Sequence, residues 1–153
     1  MMSRLGLMPF EGEEERSNRI GPFIAAGIFY LWLFANFNRL PDIPVIFKSA
    51  ILGAIIALFV SFLINIFSRI SLHTVGMGGL VGLIVISIPA FGYSNFHFQN
   101  EFYSIYYLLF IIIFLAGLVG SARMILKNHE AGDLIGGYSV GFFTQLIALQ
   151  FVF

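Results

Sequence analysis

The sequence predicts an all-α integral membrane protein, a bundle of about five transmembrane helices, and three observations support that fold class. Apolar residues make up 59% of the 153 residues and charged residues only 10%, whereas soluble domains are about half apolar and about a quarter charged. Five apolar segments reach the roughly 17 to 25 residues that a helix needs to cross a bilayer. Lipid offers no hydrogen-bond partner to an open backbone, so these segments are expected to be helices.

The predicted spans follow one another with short polar connections between them. Lys48 lies within about one turn of the start of its span, where a long side chain can reach the interface. Pro89 is expected to kink the third span near its far end. The spans are Pro22 to Asn38, Pro44 to Phe67, about Thr74 to Tyr93, about Phe102 to Gly120 and about Ala131 to Phe153.

Residues 1–21 form a polar, acidic N-terminal segment, and residues 22–153 form one transmembrane domain. The N-terminal segment has no basic start followed by an apolar run, so it is not a secretory signal peptide. The chain has no cysteine, which excludes disulfides, thiolate catalysis and cysteine metal sites. Its net charge of zero gives no indication of a nucleic-acid partner.

Glycine is concentrated at the start of the third and fifth spans. Pairs four residues apart let two helix backbones approach closely, and ordinary packing explains each pair taken alone. Both glycine-rich ends follow directly after a histidine, so we expect two helices to meet at one membrane edge. The pairs are Gly78 and Gly82, Gly132 and Gly136, and Gly137 and Gly141.

The number of spans determines which polar residues share a membrane face. With five spans, the turn that ends in His73 and the turn that contains His129 lie on the same face as the N-terminal segment. The loop that contains His97 lies on the other face. Only the first two histidines can therefore belong to one site.

Taken singly, the polar residues near these histidines have ordinary roles. A histidine at a helix end is usually hydrogen-bonded, and an arginine at a membrane edge usually anchors the topology. Ser71 suits a helix cap, and Asp133 suits the first turn of a helix.

Taken together, these residues describe a phosphate site. His129 and Asp133 are four apart, so on a helix the carboxylate can orient the imidazole. Arg123 offers a planar fork for phosphate, and two predicted helix N-termini favour an anion. One histidine can act as nucleophile and the other as general acid. The preceding turn adds Arg69, Ser71 and His73.

A resemblance to the type 2 phosphatidic acid phosphatases, the lipid phosphate phosphatase superfamily, lies in two motifs. Their third signature block is similar to ARMILKNHEAGD, with the same Arg-x5-His-x3-Asp spacing, and DLIGG continues it with Gly136. Their second block, Pro-Ser-Gly-His, is similar to RISLHTVG through Ser71 and His73. The resemblance covers roughly Pro44 to Phe153 and identifies a shortened, partly degenerate bacterial-type member.

The resemblance implies a phosphoric monoester or diphosphate hydrolase that needs no metal or other cofactor. Its substrate would be a lipid phosphate or an isoprenyl pyrophosphate. His129 would attack phosphorus to form a phosphohistidine, Asp133 would hold His129, and His73 would protonate the leaving alcohol. The residues expected to bind phosphate are Arg123, Ser71 and, as a substitute for the missing first block, Arg69.

Three departures from the family support a competing interpretation. The first block, Lys-x6-Arg-Pro, is absent; Ile70 and Leu72 replace the proline and glycine of the second block; and the first of six usual spans is missing. The alternative is a catalytically silent relative that binds anionic lipid headgroups or acts as a membrane scaffold. A third interpretation, a small transporter or channel subunit, predicts ionisable residues in mid-helix. The polar residues within these spans are uncharged ones such as Asn65 and Gln145, so we rank this interpretation last.

We expect the protein in the bacterial inner membrane. Its expected partners are membrane lipids and a lipid phosphate substrate, and the sequence does not decide whether it forms a homo-oligomer. The positive-inside rule places the site in the cytoplasm, whereas the resemblance implies the periplasm, and we expect the latter. The cations on the site face are Arg4, Arg16, Arg19, Arg69, Arg123 and Lys127, against Arg39 and Lys48 on the other.

Overall fold

The computed structural model describes residues 11–91, 96–98, 101–126 and 129–152, and it confirms the predicted bundle. All five of its helices are long and apolar enough to cross a membrane. A short antiparallel hairpin of β1 (Phe96–Phe98) and β2 (Glu101–Tyr103) lies between the third and fourth helices. The helices are α1 (Glu11–Asn38), α2 (Val45–Phe67), α3 (Leu72–Phe91), α4 (Ile105–Ile125) and α5 (Ala131–Val152).

Four helix boundaries differ clearly from the sequence prediction. Helix α4 begins at Ile105 and not at about Phe102, which lies in β2. Helix α1 begins at Glu11, because the polar segment before Pro22 continues the same helix. Helix α3 begins at Leu72, two residues before the expected Thr74. Helix α4 continues past Gly120 to Ile125, so Arg123 lies in its last turn and not in the following connection. Near the lipid, backbone N–H and C=O groups are most easily satisfied by hydrogen bonds within a helix. The helices therefore extend into these polar residues.

Helix α5 lies at the centre of the bundle. It packs against α3 and α2, while α1 packs mainly on α2 and α4 mainly on α3. Small side chains on α2 allow its contact with α5: four buried residues recur every fourth position and form one face of the helix. These residues are Ser49, Gly53, Ala57 and Ser61.

Helices α3 and α5 lie close together because the residues at their points of contact are glycines, which have no side chain. A Cβ at Gly141 would collide with the backbone carbonyl of Val75 and would lie 2.6 Å from the backbone nitrogen of Gly79. A Cβ at Gly137 would lie 2.9 Å from the carbonyl oxygen of Ser71. The two helices therefore run side by side in the same direction, with their N-termini at one end.

The pair Gly132 and Gly136 does not take part in this contact. A Cβ at either position would have no atom within 4 Å, so the close approach predicted for all three glycine pairs involves only two of them. Both residues lie in the first two turns of α5.

Gly141→Ala should destabilise the protein by about 1 to 3 kcal/mol, because an added methyl group in a packed core forces the backbones apart. The matched control is Gly136→Ala, on the same helix, where the methyl group meets nothing within 4 Å. Reversible unfolding in detergent micelles measures both. Equal stabilities for the two variants would show that the α3–α5 contact tolerates separation.

Candidate functional site

Three helix ends converge at one end of the bundle: the starts of α3 and α5 and the end of α4. The backbone N–H of Ser71 donates a hydrogen bond to the carbonyl oxygen of Asp133, with an N···O distance of 3.5 Å. This bond joins the turn before α3 to the first turn of α5. The turn before α3 is thus in direct contact with the start of the helix that follows His129.

Arg123 reaches His73 from the last turn of α4. Its Nη2 lies 2.6 Å from Nδ1 and 2.5 Å from Nε2 of the imidazole. A guanidinium only donates hydrogen bonds, and a neutral imidazole has one nitrogen that can accept, so Arg123 donates to one of the two. The structure thus brings together two residues that lie fifty positions apart in the sequence.

His129 and Asp133 form the second pair, with 3.4 Å between Nδ1 and Oδ2. The same carboxylate oxygen accepts a hydrogen bond from the backbone N–H of Glu130 at 3.2 Å. Both side chains are mostly covered, with exposed fractions of 12% and 17%. Because Asp133 lies at Nδ1, the tautomer that it favours carries the proton there and leaves Nε2 of His129 with a free lone pair.

The two pairs lie on segments that are in direct contact. Ser71, two residues before His73, donates its backbone N–H to the carbonyl oxygen of Asp133. The Arg123–His73 pair and the His129–Asp133 pair are therefore neighbours at this end of the bundle.

Ser71 is fully buried, and its Oγ has no hydrogen-bond partner in the described part of the chain. Its carbonyl oxygen accepts a hydrogen bond from Oγ1 of Thr74 at 2.9 Å and from the N–H of Val75 at 3.0 Å. The Ser71 side chain therefore does not cap α3. The hydroxyl that the family resemblance assigns to phosphate lies beneath the surface of the site.

The remaining candidates are not part of this contact network. Arg69 is exposed in the connection between α2 and α3 and makes no hydrogen bond or ion pair with any other described residue. Its orientation toward the site stays a prediction. Lys127 lies outside the described residues, and His97 lies in β1, at the opposite end of α3.

Tyr138 contributes to this end of the bundle and was not among the candidates from sequence. Its hydroxyl donates a hydrogen bond to the carbonyl of Ala116 on α4. The signal that could have identified it is Gly120, a glycine on the same face of α4 as Ala116, which leaves room for a large side chain from a neighbouring helix.

The arrangement suits an anion. Within the described ranges Arg123 has no carboxylate partner, and the hydrogen-bond partner of its side chain is the imidazole of His73. Two helix N-termini add backbone N–H groups. Among the residues that the structure describes, no group of three or more His, Asp or Glu residues could hold a metal ion.

No protein-family model, curated protein or solved structure matches the chain.

Ser71→Ala should leave the stability unchanged or raise it by up to about 1 kcal/mol, because a buried hydroxyl without a partner costs free energy. Thr74→Val should have the opposite sign and cost about 0.5 to 1.5 kcal/mol, because it removes a hydroxyl that is bonded to the Ser71 carbonyl. Thermal unfolding of both variants in the same detergent gives the comparison. A large loss of stability for Ser71→Ala would show that its hydroxyl is satisfied in the folded protein.

Proposed function

We propose that the protein is a membrane-embedded phosphatase that hydrolyses a lipid phosphate or isoprenyl pyrophosphate through a phosphohistidine intermediate. The observation that supports this most directly is the contact of Arg123 with His73, next to the His129–Asp133 pair. The cluster combines a phosphate-binding fork, a histidine oriented by a carboxylate and a second histidine. These are the groups that transfer of a phosphoryl group to histidine requires.

In the first step, Nε2 of His129 attacks phosphorus. A P–N bond forms while the P–O bond to the lipid alcohol breaks. Asp133 stabilises the positive charge that develops on the ring, since its Oδ2 lies beside Nδ1. Arg123 moves from the His73 ring to the phosphate oxygens, where negative charge accumulates.

His73 supplies the proton for the leaving alcohol. While Arg123 donates to this ring, His73 cannot be protonated on both nitrogens. Arrival of a phosphate draws the guanidinium away and places a negative charge beside the imidazole, which favours its protonated form. In the second step, His73 takes a proton from water as the water oxygen attacks phosphorus, the P–N bond breaks and inorganic phosphate leaves.

The apolar surroundings favour a lipid substrate over a soluble phosphate ester. Met124 and Ile125 flank Arg123 and are 53% and 79% exposed, and Ile135, two residues after Asp133, is 65% exposed. A phosphate at this site therefore lies where a hydrocarbon tail can extend into the bilayer. We place the protein in the bacterial inner membrane with this end toward the periplasm.

A silent relative that binds anionic headgroups is the second candidate. The burial of Ser71 favours it, because the hydroxyl that the resemblance assigns to phosphate is covered. Both candidates bind a phosphate at the same cluster. Turnover distinguishes them.

His129→Ala should abolish phosphate release, because His129 is the proposed nucleophile and His73, the other histidine on that face, is hydrogen-bonded to Arg123 and serves as the general acid. Asp133→Asn should keep the shape and reduce the rate strongly, though incompletely, because the orienting charge is lost. His73→Ala should be least harmful for esters with good leaving groups. The measurement is phosphate release from a panel of lipid phosphates by purified protein without added metal.

Denaturation under alkaline conditions during turnover should trap labelled phosphate on His129, since a P–N bond to histidine is labile in acid. Right-side-out vesicles should hydrolyse an impermeant lipid phosphate that inverted vesicles leave intact, if the site faces the periplasm. Binding of every lipid phosphate tested without any release by the wild-type protein would establish the silent relative instead.

Arg123→Ala should lower the turnover number by about 100-fold or more and raise the KM. The reason is that the guanidinium binds the negative charge that builds up on the phosphate oxygens in the transition state. Arg123→Lys should recover only part of the loss, since an ammonium keeps the charge without the fork. Arg69→Ala is the comparison on the neighbouring connection. An unchanged KM in Arg69→Ala would end the hypothesis that Arg69 compensates for the missing first block.

A further inference from the structure

Tyr138 joins α5 to the end of α4 that carries Arg123. Its hydroxyl donates a hydrogen bond to the carbonyl of Ala116 on α4. A Cβ at Gly120, one turn later on α4, would lie 2.6 Å from that same hydroxyl. Ala116 and Gly120 are two of the three described buried residues of α4, so Tyr138 contacts this helix where it is covered, while α4 packs mainly on α3.

Tyr138 is itself fixed by α3. Gly78 lies against the backbone of Tyr138, where a Cβ would collide with the carbonyl oxygen and lie 2.9 Å from Cα. The backbone of Tyr138 therefore cannot move away without opening the α3–α5 contact. Its ring extends from this fixed point to α4 and connects three helices.

Apart from Tyr138, α4 is held mainly by its packing on α3, and much of its remaining surface is exposed. Phe110 and Phe114 are 71% and 60% exposed, and such side chains contact lipid as favourably as they would contact protein. Helix association in a bilayer depends instead on close packing and interhelical hydrogen bonds. Because Arg123 follows Gly120 by three residues, it lies on the face of α4 that Tyr138 holds.

We propose that Tyr138 is a positioning residue that sets the rotation and depth of α4, so that Arg123 reaches His73 and the phosphate bound there. The part that concerns phosphate rests on the proposed function. The part that concerns the contact of α4 with the bundle does not, and the two parts are measured separately.

The position of α4 is measured by distances between spin labels in nanodiscs. The cysteine-free chain accepts a single pair of labelled cysteines at Ile125 and Ile135, which are exposed on α4 and α5. Tyr138→Phe removes only the hydroxyl and should widen or shift the distance distribution. Gly120→Ala should do the same, because its methyl group displaces the hydroxyl.

Two variants on the same helix are matched controls. Tyr106→Phe removes a hydroxyl from an exposed residue, and Gly117→Ala adds a methyl group where nothing lies within 4 Å. Neither should change the distribution. Wild-type distances in both Tyr138→Phe and Gly120→Ala would overturn the proposal, whatever the activity of the protein.

The route through Arg123 is tested by a double-mutant cycle with a lipid phosphate as substrate. Tyr138→Phe should raise the KM by about three- to fifteen-fold, the effect of losing one interhelical hydrogen bond in a membrane. In an Arg123→Ala background the same change should have no further effect. A loss that persists in that background would assign Tyr138 a general structural role and reject positioning of Arg123.

If the wild-type protein binds phosphatidic acid in nanodiscs but hydrolyses nothing, the cycle uses the binding constant in place of KM. That outcome rejects the proposed phosphatase. The label distances and the binding cycle still decide whether Tyr138 positions Arg123.

Discussion

The site depends on the glycine-mediated contact between α3 and α5. In lipid, apolar side chains gain nothing by leaving the solvent for one another, so close backbone approach has to supply the packing. Gly137 and Gly141 allow the two helices to lie side by side and in the same direction. Their first turns then meet, and the hydrogen bond from Ser71 to Asp133 joins them. Without that contact nothing would set the distance between His73, in the first turn of α3, and His129, which lies just before α5.

The same contact gathers the polar side chains of the candidate site at one membrane edge. The middle of the bundle is filled by glycine, alanine and hydroxyl side chains, and its largest polar group is Gln145, whose Nε2 donates to the carbonyl of Ala50 at 3.3 Å. A hydrogen bond from such an amide holds two helices together in a bilayer, and the amide is uncharged. Ionisable residues in mid-helix often mark the path of a transporter. In the described membrane spans the acidic, basic and histidine side chains lie near the helix ends.

Much of the fold could be predicted from sequence because lipid restricts the choices. Span length and apolarity gave five helices, and their number alone placed His73 with His129. The helix end at Arg123 could not be predicted, because a polar residue at a membrane edge suits a turn as well as a last helical turn. The burial of Ser71 and the contact of Tyr138 with α4 also escaped prediction, since both depend on the rotation of helices about their axes. Spacing in the sequence identified the pair His129 and Asp133, and only the packing of α4 against α3 brought Arg123 to His73.

The departures from the family motif weigh less against catalysis once their positions are known. Ile70, in place of the proline, is 4% exposed and packs with Ala57 and Val75 in the core. Leu72, in place of the glycine, lines an apolar cavity between α2 and α3. Neither substitution stands between His73 and Arg123, which are in direct contact. Under the proposed function, the absence of the first block removes positive charge, so Arg123 would carry a larger share of the phosphate charge. The helix that presents Arg123 would then have to be held in position, and this is the role that we propose for Tyr138.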